Sequence, residues 1–306
     1  MTATTPEPTV TRHTLTLADG RQLDWSACGD SGPVLLHHHI LPGSAEPQST
    51  WRRAAAARRL RLVTVARPGY GRSSRNHGRS VADFAADCKQ LLDALGVDGA
   101  YVSGSSGGGP FALACAALLR ERVRAVAVHG SPAPMGMPDL DFTAGMSPDN
   151  AEEYIAAQKG EAALTAHWDA VRPALLGASA NPERMRARRA SMLPAVDAAS
   201  LTMELVSDVA RGMLDGLAAS AAGCIDDDLS FTRPWGFDLA SLAGVPVSLW
   251  HGTEDTTVPI AHGRWLAAHV PGAHAHLLEG EGHISIAQRH IDALLDELTA
   301  GGPSSA

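Results

Sequence analysis

The chain has 306 residues, 45% hydrophobic and 19% charged, with a formal net charge of -8. That composition supplies a sizeable core and excludes a disordered polar chain. The acidic balance argues against nucleic acid or an anionic membrane as a partner, because both select clustered Lys and Arg.

The opening MTATTPEPTV has neither the basic nor the apolar region of a secretory leader, so none is expected. TRHTLTL (11–17) and RQLDWSAC (21–28), joined by Ala18-Asp19-Gly20, predict a β-hairpin. PVLLHH (33–38) fits a buried strand, WRRAAAARRL (51–60) a helix, and LRLVTVA (60–66) a second buried strand. The arginines of that helix region (Arg52, Arg53, Arg58, Arg59, Arg61) are read as a solvated face. VADFAADCKQLLDALG (81–96) carries a helical apolar stripe stopped by Gly96. AYVSG (100–104), GGPFALACAALLRE (108–121) and VRAVAVHG (123–130) read strand, helix, strand. From 134 to 235 the alternation gives way to several helices without a convincing buried strand. It resumes with VPVSLWHG (245–252), AHGRWLAAHV (261–270), AHAHLLEG (273–280) and a closing helix over 283–300, before a tail, GGPSSA, expected to fray.

Strands alternating with helices imply right-handed crossovers and a mostly parallel sheet. The expected architecture is therefore an α/β core, residues 1–133 and 236–306, interrupted by a helical insertion, 134–235. No apolar run approaches the 18 residues of a membrane span. Four scattered cysteines (Cys28, Cys88, Cys115, Cys224) without a CxxC pair predict free thiols in a reducing cytoplasm.

Between a predicted strand and a predicted helix, Gly104-Ser105-Ser106-Gly107-Gly108 fits G-x-S-x-G. That spacing serves a tight, strained turn that lifts a serine above the sheet. Glycines two before and two after let the backbone close around it, and the next N–H faces a developing oxyanion. A Gly/Ser linker would lack the flanking elements. A dinucleotide loop would need glycine where Ser106 stands, and a phosphate loop would need lysine where Pro110 follows. A serine nucleophile needs a base and an acid to orient it, in the chain order Ser, acid, His. Asp255, in HGTEDTTVP, and His283, in GEGHIS, each follow a core strand, at the edge where parallel sheets build sites. Glu254 is the alternative acid. His251, His262, His269, His274, His276 and His290 are read as structural or surface residues.

PVLLHHHILPGS, VTVARPGYGRSS, VSGSSGGGPFALACAA, SLWHGTEDTTVP and EGEGHIS, in this order, resemble the α/β-hydrolase superfamily, in the branch of prolyl-aminopeptidase-like and esterase-like enzymes with a helical cap. The resemblance implies an eight-stranded, mostly parallel sheet flanked by helices. It also implies Ser106 as nucleophile, Asp255 as acid, His283 as base, and the N–H groups of Gly107 and Leu41 as the oxyanion hole, with no cofactor and no metal. The segment 134–235 would be the cap that shapes the pocket. One position departs from the pattern: Ile40 stands where the family places glycine, so the oxyanion loop is either altered or simply extended, with Ile40 lining the pocket. Relatives with epoxide hydrolase or dehalogenase chemistry carry Asp where Ser106 stands.

His37 and His38 are adjacent on a strand and point to opposite faces, which argues against a shared metal. The run Asp226-Asp227-Asp228 lacks the spacing of a calcium loop and is read as a helix cap or a solvated hinge. Glu152-Glu153 suits either a substrate amine or a solvent-facing turn. Met135, Met137, Phe142, Met146 and Trp168 suit either the cap's own core or an apolar pocket. The pocket residues expected are His39, Ile40, Ser105, Trp168 and Met135. The expected function is hydrolysis of an ester, thioester or lactone of a small, largely apolar molecule. Amide or C–C cleavage, and a non-hydrolytic binding role, are the alternatives. The expected partner is that small molecule, and a homodimer is compatible with this reading.

Overall fold

Eight apolar or alternating segments become strands in the computed structural model, which describes residues 9–300; the GGPSSA tail lies outside them. They are β1 (Val10–Thr16), β2 (Gln22–Cys28), β3 (Val34–His38), β4 (Arg61–Val65), β5 (Ala100–Ser105), β6 (Val123–His129), β7 (Val247–Gly252) and β8 (His274–Leu278). The sheet runs β1-β2-β4-β3-β5-β6-β7-β8. The β1–β2 hairpin, turned by Gly20 at φ 86°, and the β2–β4 pair are antiparallel; the other pairs are parallel. This is the expected α/β-hydrolase sheet.

Alternation along the strands sends side chains into two cores. Leu36, Val63 and Val102 enter the layer that holds α2 (Asp83–Ala94), α3 (Gly109–Leu118) and α10 (Ile260–His269). Leu35, Leu62 and Tyr101 face α1 (Ser49–Ala57) and α11 (Ser285–Ala300). Helix α3 is apolar on every side, and Gly109 through Ala117 are all buried, so it sits as the central pillar behind β5 and β6.

Between β6 and β7, which pair directly, the chain forms six helices: α4 (Pro148–Gln158), α5 (Glu161–Ser179), α6 (Pro182–Ala190), α7 (Ala195–Ser200), α8 (Met203–Gly216) and α9 (Ala222–Phe231). They build two apolar clusters, one around Trp168 and Leu164 that also takes in Ala45, Ala66 and Tyr70, and one around Met185 and Val206. No helix among the described residues is long and apolar enough to cross a membrane.

The run Asp226-Asp227-Asp228 is neither a cap nor a solvated hinge. All three side chains are buried inside α9. Asp226 pairs with Arg75, Asp227 with Arg67 and Arg79, and Asp228 accepts from Trp168 Nε1 at 3.2 Å. Arginines delivered from about 150 residues away, and the Tyr70 hydroxyl donating to Asp227, offset the cost of burying the Asp226 and Asp227 charges. Two of the arginines read as a solvated face form surface ion pairs: Arg53 with Glu204, and Arg58 with Asp292 and Asp296.

Candidate active site

Ser106 stands at the end of β5 with φ 52°, one of two non-glycine residues at positive φ among those described. That conformation is costly for a side chain-bearing residue and persists only where its surroundings enforce it. The glycines around it explain how. A Cβ on Gly104 would lie 2.6 Å from the Gly108 carbonyl oxygen, and one on Gly108 would lie 2.6 Å from the His39 carbonyl oxygen. The turn therefore packs backbone on backbone, against itself and against the end of β3.

His283 bridges the elbow to Asp255. Its Nε2 lies 3.1 Å from Ser106 Oγ, and its Nδ1 lies 2.7 Å from Asp255 Oδ2. Asp255 also accepts from the N–H groups of Thr257 and Val258, both at 2.8 Å. Glu254, the alternative acid, is exposed. Burial pulls the His283 imidazole pKa down, but the Asp255 charge and hydrogen bond, with Asp197 behind them, hold it above its ordinary value. Burial pushes the Asp255 carboxyl up, and His283 more than offsets it, so Asp255 stays below its usual range.

The loop after β3 brings Leu41 to the elbow. A Cβ on Gly107 would lie 3.0 Å from Leu41 Cβ and 3.8 Å from Leu41 N, so the two expected donor segments touch. Ile40 does not adopt positive φ. Its carbonyl accepts from His39 Nδ1 at 2.6 Å and from Arg67 Nη2 at 3.3 Å, while Arg67 Nη1 donates to the His39 carbonyl at 2.6 Å. The loop is thus held in a conformation that a β-branched residue accepts. The Ile40 side chain packs against the Met185 and Val206 cluster.

The remaining pocket expectations divide. His39 and Ile40 line a crevice against Asp208, Val209 and Gly212 of α8, about 20 Å³ in volume and therefore roomy enough only for water. Met135 is buried, with Gln158 Nε2 donating to its sulfur. Ser105 turns away from Ser106, as successive strand residues do, and its hydroxyl meets His129 Nε2 at 2.7 Å. Trp168 is 1% exposed and spends its N–H on Asp228 in the core of the inserted helices. A larger surface concavity, about 460 Å³, lies beside Arg21, Asp83 and Asp87, and no member of the Ser106–His283–Asp255 trio lines it.

Other buried histidines have partners of their own. His37 meets Ser103 Oγ at 2.9 Å, His251 meets the Val258 carbonyl, and His262 meets the Phe142 carbonyl. Among the described residues, two groups combine metal-ligating residue types: buried His38 with Cys88 and Cys115, and His274 with His276 and Glu297. In the second, both imidazoles hydrogen-bond Glu297.

Three contributors escape the sequence reading. Gly130, just after β6 at φ 54°, lies under the His283 ring: a Cβ there would be 2.9 Å from His283 Nδ1 and Cε1. A glycine directly following a core strand was the available signal. Arg67 fixes the His39 and Ile40 carbonyls of the loop after β3, and its signal, in ARPGYG, was weak. Asp197, on α7, accepts the backbone N–H groups of His283, Ile284 and Ser285, each at 2.9 Å. Nothing in PAVDAAS marks that role.

Comparison with known proteins agrees with the fold. A non-heme haloperoxidase of Rhodococcus erythropolis is 23% identical over 81% of this chain and 84% of its own length. An uncharacterised hydrolase of Bacillus subtilis, YcgS, is 30% identical over 37% of this chain, a match spanning only 39% of that relative. Among solved structures, an epoxide hydrolase, CorEH, superposes with a TM-score of 0.68 at 18% identity, covering 95% of this chain and 98% of its own. At that identity the likeness speaks for the fold alone. The family model described as "alpha/beta hydrolase fold" matches residues 33–289, and the chain belongs to this hydrolase family.

Proposed function

We propose that the protein is a serine hydrolase that cleaves an ester, thioester or lactone of a small, largely apolar molecule through an acyl-enzyme. One observation carries the reading: a single imidazole lies within hydrogen-bond reach of both Ser106 Oγ and the buried Asp255 carboxylate.

In this mechanism His283 Nε2 takes the Ser106 proton as Oγ attacks the carbonyl carbon, and the charge passes to the carbonyl oxygen. The N–H groups of Gly107 and Leu41 receive that oxyanion; one such donor is worth about 2.7–4 kcal/mol. Asp255 fixes the imidazole with Nδ1 protonated and stabilises the imidazolium. His283 then returns the proton to the leaving oxygen or sulfur. Water, activated by the same base, releases the acid and restores Ser106. The inserted helices act as the cap over this site.

Two features favour this reading over its alternatives. Recognition of a substrate amine by the acidic residues of the cap would want an anion there. Burial instead pushes the Glu153 carboxyl up to about 7 and the neighbouring Asp228 carboxyl well up, so the pair carries less negative charge than two free carboxylates would. A non-hydrolytic role was motivated by Ile40, whose backbone keeps negative φ. The test is turnover of p-nitrophenyl esters of graded chain length. Hydrolysis that disappears in Ser106→Ala supports the proposal; hydrolysis that survives the substitution refutes it, and preferential turnover of aminoacyl-naphthylamides would move the assignment to amide cleavage.

A further inference from the structure

We propose that Asp197, carried by the inserted helices, is a positioning residue for His283, so that the base is held in register only while α7 is docked on its loop. The inference rests on the reading of His283 as the base.

The geometry is that of a helix N-terminus capped from elsewhere. Helix α11 starts at Ser285, and the first N–H groups of a helix have no partner within it. A local side chain ordinarily supplies one. Here the local candidate is engaged backwards, because Ser285 Oγ accepts from Gly282 N at 2.8 Å. The Asp197 carboxylate, from 86 residues earlier in the chain, takes three successive donors instead. Oδ2 accepts from His283 N, and Oδ1 accepts from Ile284 N and Ser285 N, each at 2.9 Å. A carboxylate has the acceptor sites for all three, and its charge suits a helix N-terminus. Asp197 is 0% exposed. Gly282 makes room for it, since a Cβ there would lie 2.5 Å from the Asp197 carboxyl carbon.

A helix cap that only stabilised α11 would not need to reach the residue that carries the base. This one binds the backbone N–H of His283 itself, and its charge acts on the imidazole. The charged and titratable groups around that ring come from several elements: Asp255 after β7, Asp197 on α7, Arg189 on α6, His251 on β7 and His129 on β6. The two carboxylates favour the imidazolium and Arg189 opposes it. Undocking α7 therefore removes three tethers and one of the two stabilising charges together.

The test is Asp197→Asn, which keeps the shape but loses the charge and turns an amide NH₂ towards backbone donors. The expected result is a kcat for a p-nitrophenyl ester about tenfold lower or more, a loss of the kind a small misplacement of catalytic groups produces. KM should change by less than about threefold, and the acidic limb of the kcat/KM profile should move to lower pH; Asp197→Glu, which restores the charge, should bring that limb back towards its original position. An unchanged kcat with an unchanged limb overturns the proposal. Should Asp197→Asn fail to fold, amide exchange in the unaltered protein decides: protection of residues 283–285 matching the interior of α11 supports the tether, and exchange at the rate of an open loop overturns it. A Ser106 that neither reacts with a fluorophosphonate nor matters for turnover counts against the triad itself. A reactive Ser106 with an unaltered Asp197→Asn profile counts against Asp197 alone.

Discussion

The sheet core and the inserted helices hold the site by different means. In the core the work is done by backbone and by absent side chains: Gly104, Gly108 and Gly130 allow approaches that any Cβ would block. The insertion works through buried carboxylates that reach down to core segments. Asp197 takes the donors at the start of α11, Asp208 takes Ser49 N at the start of α1, and Asp227 takes the Arg67 guanidinium that holds the loop after β3. The difference teaches that the core sets where Ser106, Asp255 and His283 stand, while the insertion ties down neighbouring core segments by hydrogen bonds. Substitutions in the first set should damage chemistry; those in the second should damage stability and the precision of the loops.

The largest effect expected is that of Ser106→Ala, which should lower kcat/KM by roughly 10⁴–10⁶-fold without altering the melting temperature appreciably. A loss of under tenfold would remove the core's claim to the chemistry. Next comes Asp227→Ala on the side of the insertion. It strands the buried Arg67 and Arg79 guanidiniums and should cost about 3–5 kcal/mol in a denaturant titration. If stability is unchanged, the ion-pair account of the insertion is wrong.

Gly130→Ala places a methyl group against the His283 ring and forces alanine to positive φ. We expect kcat to fall by about 100-fold, the scale of a 1 Å misplacement, measurable with the best p-nitrophenyl ester. The pH profile sharpens the same point. A base must be neutral to accept the proton, and the His283 pKa stands above its ordinary 6.5. So kcat/KM should decline about tenfold per pH unit on the acidic side, with a midpoint above 6.5; a midpoint clearly below 6.5 would mean that desolvation outweighs the two carboxylates. The smallest effect expected is that of Ile40→Gly. Because Ile40 already has negative φ, kcat should stay within about threefold, and stability should drop by about 1–2 kcal/mol as its packing against the inserted helices is lost. A large gain in kcat would show that isoleucine does distort the oxyanion loop.

The fold was legible because its signals are local. The period-2 hairpin, the short apolar strands and the strand–GSSGG–helix junction each lie within about fifteen residues. Asp255 and His283 were legible as candidates through their place after core strands; Asp255 is buried against His283, and Glu254 is exposed. What escaped depends on partners distant in sequence. The run 226–228 looks solvated until Arg67, Arg75 and Arg79 are known to face it. Asp197 looks like any helix-turn aspartate until α7 is seen against α11. Ser105 and Trp168 were expected at the pocket by nearness or type, and each side chain instead satisfies a buried polar neighbour.

The central claim is that His283, oriented by Asp255, activates Ser106. Covalent labelling by a fluorophosphonate, with the modified residue located by peptide mass spectrometry, tests it most directly. The account predicts a single label on Ser106 whose rate rises with pH as His283 becomes neutral and falls by orders of magnitude in His283→Ala. Label on another residue, or undiminished labelling of Ser106 without His283, would contradict it.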